Sequence, residues 1–253
     1  MWGYNPGIVP SGWIVLPVFN EDKALPGVLA DIRRLAPADS VLLVVDDGST
    51  DGSADAARAA GARVVRHGFN MGYGVSLQTG FKAALAEGAD WVVIMDGDGQ
   101  HDPASLDVLL APVRAGEADV VLGSRFLGSP DYRMPWVKRA GVGVFRLMAE
   151  VLAGVRVTDP TSGYQALSRK AMTFCAHDVF PFDFPDTDML ISLSKAGLKV
   201  AEVPVLMHNH PEGKTMHSGL VPFYYVFKMV VSILATTFRE SHSYLDTGKR
   251  VRA

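Results

Sequence analysis

Apolar runs rich in β-branched residues alternate with segments of helical spacing along the first half of the chain. The runs predict strands, at 13–19, 41–47, 62–67 and 90–96. The segments between them carry apolar residues three and four positions apart and predict helices, at 24–36, 49–61 and 74–88. Because the strands are apolar on both faces, we expect an α/β fold with a mostly parallel sheet and helices on both of its faces.

The second half of the chain has a less regular pattern. It predicts three more helices, at 106–116, 145–154 and 187–198, and two more strands, at 118–126 and 199–207. Segment 159–172 predicts a turn that becomes a helix. Segment 220–238 is nearly all apolar but contains Pro222 and Lys228, and three interpretations stay open for it: a helix on a membrane surface, an oligomer contact or a packed core helix.

Composition narrows the class of protein only slightly. The 253 residues, 48% of them hydrophobic, suit one globular domain. Cys175 is the single cysteine, which excludes an intrachain disulfide. Residues 1–13 lack the basic region and apolar stretch of a secretory signal, and the net charge of −3 gives no indication of nucleic-acid binding.

The charge is distributed unevenly between the halves. Residues 1–124 contain 8 Lys+Arg and 16 Asp+Glu, whereas residues 125–253 contain 16 and 11. This suits a metal held by the first half and an anion held by the second. Solvated surfaces would give the same totals, so charge alone leaves both interpretations open.

Polar residues follow three of the predicted strands directly, namely Asn20, Asp46, Asp47, Asp96 and Asp98. Ligands of parallel sheets bind beyond the carboxyl ends of the strands, so we expect these side chains to share one cleft. Segment 46–51 is either a nucleoside-binding turn or an Asp-rich helix cap, and the glycine-rich segment 70–80 is either a phosphate cradle or a tight turn.

The sequence DGDGQ at 96–100 predicts a metal site. Its glycines allow the backbone to bend so that Asp96 and Asp98 approach one cation, and Gln100 adds an amide oxygen. Such oxygen ligands suit Mg²⁺ or Mn²⁺, which would bridge a diphosphate. We expect His101 to be a hydrogen-bonding loop histidine rather than a further ligand.

Six segments occur in an order that resembles the family-two glycosyltransferases with the GT-A fold. Five of them carry the general resemblance: LPVFNE, DDGSTD, NMGYGVSLQTG, MDGDGQHDP and GSRF. The sixth, DPTSGYQALSRKA at 159–171, narrows it to the branch of dolichol- and polyprenyl-phosphate mannose and glucose synthases. The resemblance covers about residues 13–235 and implies a Rossmann-like, mostly parallel sheet in a single domain.

The resemblance implies an inverting transfer of a hexose from GDP-mannose or a UDP-hexose to a polyprenyl phosphate. The implied donor nucleotide-binding residues are Pro17, Asn20, Glu21, Asp46, Asp47, Gly72, Asp96 and Gly97. Asp96, Asp98 and Gln100 would hold the metal, with Asp98 counted as catalytic. Arg125, Arg139 and Lys214 would hold the acceptor phosphate. We expect a cytoplasmic protein, peripheral at the inner membrane face, that is potentially a homo-oligomer.

Two features depart from that branch and keep a second acceptor open. Asp186 and Asp188 stand where related enzymes with soluble acceptors place a general base, although Asp186 is equally suited to capping a helix. Loop 208–219 carries His208, His210 and His217 where the branch would have arginines, which leaves the acceptor open. We interpret the loop as an acceptor loop rather than a metal cluster.

These expectations divide the chain into four parts. The central part is the catalytic domain, with a nucleotide and metal half followed by an acceptor half. The predicted boundaries are an N-terminal tail 1–12, the catalytic domain 13–218 (13–124 and 125–218), an apolar helix 219–240 and a C-terminal tail 241–253.

Overall fold

The computed structural model describes residues 12–128, 136–177 and 187–208, together with positions 231 and 233. Its strands are β1 (Gly12–Val18), β2 (Ser40–Asp46), β3 (Arg63–Arg66), β4 (Trp91–Ile94), β5 (Val120–Ser124), β6 (Gln165–Ser168) and β7 (Val200–Pro204). Its helices are α1 (Leu25–Leu35), α2 (Ser53–Ala59), α3 (Tyr73–Ala86), α4 (Leu106–Arg114), α5 (Arg125–Gly128), α6 (Trp136–Ala153), α7 (Arg169–Cys175) and α8 (Thr187–Lys195). A 3₁₀ turn over Pro103–Ser105 leads into α4.

The described strands form one sheet in the order β3-β2-β1-β4-β6-β5-β7. Strands β1 to β4 pair in parallel, and β5 pairs in parallel with β7. Among the described strands, only β6 runs antiparallel to its neighbours, β4 and β5. The predicted α/β fold with a mostly parallel sheet is confirmed.

Both faces of the sheet are buried, as the continuous apolar runs predict. On β1, Trp13 and Val15 pack into one core cluster with Phe81 of α3, whereas Ile14 and Leu16 pack into the cluster on the opposite face. Successive side chains of a strand point to opposite faces, so one buried strand supplies both clusters.

The prediction for segment 159–172 is wrong because it omits β6. Residues Gln165–Ser168 form a strand between the turn and helix α7. Four residues are too few to establish a period of two, and Ser168 also caps α7 by accepting the N–H of Ala171. The helical start signal therefore concealed the strand.

A separate small cluster joins α6 to α8. Phe145 of α6 and Ile191 of α8 are buried together with Ile233. Ile233 is one of two described positions within the predicted apolar helix 219–240, and the other, Val231, is exposed. Among the described helices, none has the length and apolar character needed to span a bilayer.

Candidate active site

Hydrogen bonds join the loop that follows β1 to the loop that follows β2. Asn20 adopts a left-handed backbone conformation with φ of 58°, and its side-chain oxygen accepts the N–H of Thr50 at 2.8 Å. In return, Ser49 Oγ accepts the N–H of Asn20 at 3.0 Å, and Ser53 Oγ accepts the N–H of Glu21 at 2.8 Å. The loops that contain the predicted donor-binding residues therefore lie side by side.

The two adjacent aspartates of the second exit have different surroundings. Asp46 is fully buried, and its Oδ1 accepts the N–H of Ser49 at 3.0 Å. Arg66 Nε lies 2.9 Å from Asp46 Oδ2 in an orientation that makes an ion pair but no hydrogen bond. Pro17 lies in the neighbouring strand opposite Val45 and so borders the same turn.

Asp47 holds the glycine-rich turn. Its two carboxylate oxygens accept the N–H of Met71 at 2.8 Å and of Gly72 at 2.9 Å. His67 Nδ1 contacts the same carboxylate at 2.7 Å. Gly72 has φ of 103°, a conformation that side-chain-bearing residues rarely adopt, so glycine is required here. Donor binding by Asp47 and Gly72 stays a prediction, whereas their role in shaping this turn is observed.

The acidic motif lies directly beyond β4. Asp96 keeps 29% of its side-chain surface exposed, and Tyr73 Oη donates to its Oδ1 at 3.1 Å. Burial raises the pKa of Asp96, while the Tyr73 hydrogen bond and the charge of Arg125 act in the opposite direction. Asp98 Oδ1 accepts the N–H of Gln100 at 2.9 Å, which closes the turn between them.

This donor set fits a divalent cation bound jointly with a ligand. Two carboxylates and one amide oxygen are available at the motif, and a cation would offset the desolvation that raises the pKa of Asp96. Within the described ranges, no three His, Cys, Asp or Glu side chains converge into a complete metal site. A bound diphosphate and water would supply further ligands. Gly97 packs against β1, since a Cβ there would lie 2.9 Å from Val18 Cγ2.

His101 is hydrogen-bonded to the acidic motif, as expected of a hydrogen-bonding loop histidine. The ring stacks on Tyr164 with centroids 4.7 Å apart, and Nδ1 accepts the N–H of Asp96 at 3.0 Å. An accepting Nδ1 requires a neutral ring with its proton on Nε2. Burial lowers the pKa of His101 to about 4, and Asp98 offsets part of this effect.

Stability is expected to fall as the pH drops from about 6.5 to about 4. The unfolded histidine has a pKa near 6.5, whereas the folded value is about 4, so the unfolded chain takes up the proton first. The contribution of His101 is complete above pH 6.5 and is lost towards pH 4, with a slope of up to about 1.4 kcal/mol per pH unit. Urea denaturation of wild type and His101→Gln between about pH 4 and pH 6.5 measures this contribution to the free energy of unfolding. A pH dependence identical in both proteins would contradict this assignment, and His208→Gln, at an exposed site, controls for the loss of an imidazole.

Arg125 brings a positive charge close to the acidic motif. It follows β5 and makes a bidentate ion pair with the buried Asp159. Its Nε donates to Asp159 Oδ2 at 2.6 Å, and its Nη2 donates to Oδ1 at 2.7 Å. Glu202 of β7 accepts the N–H groups of Thr158 and Asp159 at 2.7 Å each, which fixes the turn that carries Asp159. The charge of Arg125 acts on the pKa of both Asp96 and His101. Because β5 runs parallel to β4, with the antiparallel β6 between them, Arg125 follows β5 at the same edge of the sheet as the predicted metal site.

Among the described residues, no contact brings Arg139 or Asp188 to the motif, whereas the N–H of His208 donates to the main-chain oxygen of Gln100 at 2.8 Å. Arg139 is an exposed side chain on α6. Asp188 is only 1% exposed, and its Oδ1 accepts the N–H of Met189 at the start of α8. His208 contacts Asp102 at 3.0 Å. Asp186, His210, Lys214 and His217 lie outside the described residues.

Sequence reasoning missed four residues that organise the site: His67, Tyr73, Asp159 and Tyr164. Tyr73 lies in the glycine-rich segment 70–80, and Asp159 and Tyr164 lie in segment 159–171. No local pattern in these segments indicates which side chains they contact. His67 offered one signal, since it follows β3 just as Asp47 follows β2. The exit of β3 could have been included with the other polar strand exits on that basis.

A family model described as glycosyl transferase family 2 matches residues 13–174. The chain belongs to the family-two glycosyltransferases. This glycosyltransferase is 32% identical over 214 residues to the undecaprenyl-phosphate mannosyltransferase of Micrococcus luteus, with 81% of this chain and 86% of that protein covered. It is 33% identical over 194 residues to the dolichyl-phosphate hexose transferase of Haloferax volcanii, with 76% and 80% covered. These relatives confirm the branch that the sequence motifs indicate.

Solved structures resemble this glycosyltransferase over most of its length. Glucosyl-3-phosphoglycerate synthase from Mycobacterium tuberculosis, in complex with Mn²⁺, uridine diphosphate and phosphoglyceric acid, is 23% identical with a TM-score of 0.68. The match covers 91% of this chain and 80% of that one. At this identity the match establishes the shared GT-A fold, in agreement with the prediction.

Proposed function

We propose that this glycosyltransferase transfers a hexose from GDP-mannose or a UDP-hexose to a polyprenyl phosphate, with inversion at the anomeric carbon and with Mg²⁺ or Mn²⁺. The observation that carries the proposal is the juxtaposition of opposite charges at one sheet edge. Asp96 and Asp98 lie beyond β4, and Arg125 acts electrostatically on Asp96 from the end of β5. Such an edge suits a cation with a diphosphate on one side and an anionic acceptor on the other.

The donor half of the proposal rests on the joined strand exits. Asn20 and Glu21 lie on a loop that is hydrogen-bonded to the loop after Asp46, and the two loops would give a nucleoside a preformed binding surface. Asp96, Asp98 and Gln100 would hold the cation, which would offset the charge that develops on the diphosphate leaving group. The M. tuberculosis enzyme, whose structures contain Mn²⁺ with a uridine nucleotide, supports this assignment by its shared fold.

The acceptor half rests on Arg125. In the proposed reaction, an oxygen of the acceptor phosphate forms a bond to the anomeric carbon while the bond to the diphosphate breaks, and the nucleoside diphosphate leaves. The phosphate is already ionised, so no base has to remove a proton. Arg125, oriented by Asp159, would position the phosphate and reduce its repulsion from the donor. The M. luteus undecaprenyl-phosphate mannosyltransferase and the H. volcanii dolichyl-phosphate hexose transferase support a lipid-phosphate acceptor.

A soluble hydroxyl acceptor is the alternative, and it would require a general base. The burial of Asp188 and its contact with the N–H of Met189 count against that residue in this role. No observation on the described residues favours this alternative over the lipid phosphate.

A donor and acceptor screen tests the proposed function. The full chain is incubated with Mn²⁺, with GDP-mannose or UDP-glucose, and with undecaprenyl phosphate in detergent, and products are identified by mass spectrometry. We expect a hexosyl undecaprenyl phosphate that forms only with lipid and metal present. Release of nucleoside diphosphate at the same rate with and without lipid would contradict the proposed acceptor.

A further inference from the structure

Tyr73 connects two strand exits that are far apart in sequence. It is the first residue of α3 and follows Gly72 of the glycine-rich turn. Its hydroxyl donates to Asp96 Oδ1 at 3.1 Å. The carboxylate beyond β4 is therefore held by a side chain that belongs to the turn after β3.

The position of Tyr73 is fixed in turn by Asp47. The Asp47 carboxylate accepts the N–H groups of Met71 and Gly72, which are the two residues before Tyr73. His67 contacts Asp47 through Nδ1 and Thr79 of α3 through Nε2, at 2.7 and 3.0 Å. The buried Asp47 carboxylate therefore fixes the glycine-rich turn directly, and it fixes helix α3 through His67.

The contact between Tyr73 and Asp96 lies against Gly163. A Cβ at position 163 would lie 3.2 Å from Tyr73 Oη and 3.6 Å from Asp96 Oδ2. It would also approach His101 Cε1 to 3.7 Å. The Tyr73 hydroxyl and the Asp96 carboxylate can therefore lie this close to residue 163 because it has no side chain.

We infer that Tyr73 is a positioning residue for the divalent cation: its hydroxyl fixes the rotation of the Asp96 carboxylate, and the Asp47-held turn fixes Tyr73. His101 assists by accepting the N–H of Asp96. The inference rests on the proposed function, because it assumes that a cation binds at the acidic motif. Hydrogen-bond partners of metal-binding carboxylates typically contribute about 10- to 100-fold to metal affinity.

Mn²⁺ binding to the full chain tests the inference without reference to turnover. Mn²⁺ alone is titrated, and the loss of the free-ion EPR signal gives the dissociation constant. Tyr73→Phe removes the hydroxyl and keeps the ring, and we expect its Mn²⁺ affinity to fall by roughly 10-fold or more. Thr173→Val is the control, because it also removes one hydroxyl, which donates to the main-chain oxygen of Arg169 on α7 and not to Asp96. We expect Thr173→Val to bind Mn²⁺ as wild type does.

Gly163→Ala provides a second variant that acts on the same contact. The added methyl group crowds the Tyr73 hydroxyl, so Mn²⁺ affinity should fall in this variant as well. Removing the hydroxyl removes the atom that the methyl group crowds. The losses in the double variant Tyr73→Phe/Gly163→Ala should therefore be smaller than the combined losses of the single variants.

The outcomes distinguish the inference from the proposed function. Wild type that binds Mn²⁺, with unchanged affinity in Tyr73→Phe, would overturn the inference and leave the proposed function standing. Equal losses in Tyr73→Phe and Thr173→Val would also overturn it, since they would indicate a general loss of structure. If Tyr73→Phe does not fold, unchanged affinity in Gly163→Ala overturns the inference instead. Wild type that binds no Mn²⁺, alone or with a nucleoside diphosphate, would overturn both.

Discussion

Replacing Asp98 with alanine is expected to lower Mn²⁺-supported turnover by about 10³-fold or more. A bound cation typically contributes several kcal/mol of charge stabilisation, and each 1.4 kcal/mol is about a tenfold change in rate. Asp98 supplies one of the two carboxylates of the motif, so its loss leaves a single carboxylate to hold the ion. Initial rates with the donor identified by the screen measure the effect.

Two further variants distinguish the effect of the lost charge from the effect of the lost hydrogen bond to Gln100. Asp98 Oδ1 accepts the N–H of Gln100, and Asp98→Asn would keep an oxygen for that hydrogen bond while it removes the charge. We therefore expect Asp98→Asn to be nearly as inactive as Asp98→Ala. Asp107→Ala makes the same change at an exposed position on α4 and should retain full activity. Full activity of Asp98→Asn, or of wild type in EDTA, would refute the metal role.

Replacing Asp159 with alanine is expected to destabilise the protein by about 3–5 kcal/mol. Asp159 is fully buried and pairs with Arg125 through two hydrogen bonds. Removing one partner of a buried pair leaves the other charge without compensation in a place where water solvates it poorly. Chemical denaturation gives the change in the free energy of unfolding.

The control for Asp159 is an ion pair on the surface. Arg156, which is 84% exposed, pairs with Glu150, and Arg156→Ala should change stability by no more than about 1 kcal/mol. The folded fraction of Asp159→Ala should also bind the acceptor phosphate more weakly, because Arg125 would lose its orientation. Equal stability of Asp159→Ala and Arg156→Ala would show that the buried pair contributes no more than the exposed one.

The sequence was sufficient to predict the sheet of the first half. Strands β1, β2 and β4 are buried on both faces, and their apolar runs are rich in β-branched residues and too short for helices, which is typical of strands. The prediction failed at β6, whose antiparallel pairing depends on contacts with β4 and β5 and not on its own four residues. Tertiary contacts of this kind leave little trace in a local pattern.

The candidate site was predicted by residue type but not by role. Acidic residues at strand exits could be found from sequence, because burial of the preceding strand determines where each loop begins. Asp46 pairs with the side chain of Arg66 on β3, whereas Asp47 accepts the main-chain N–H of Met71, and both contacts form only in the folded chain. Tyr73 is a similar case, since only the folded chain brings it to Asp96.

The most direct measurement is the anomalous scattering of Mn²⁺ in crystals grown with the nucleoside diphosphate of the preferred donor. We expect one strong peak among the side-chain oxygens of Asp96, Asp98 and Gln100, with the diphosphate bound to the same ion. A peak elsewhere in the chain, or a diphosphate bound without any ion at the acidic motif, would contradict it.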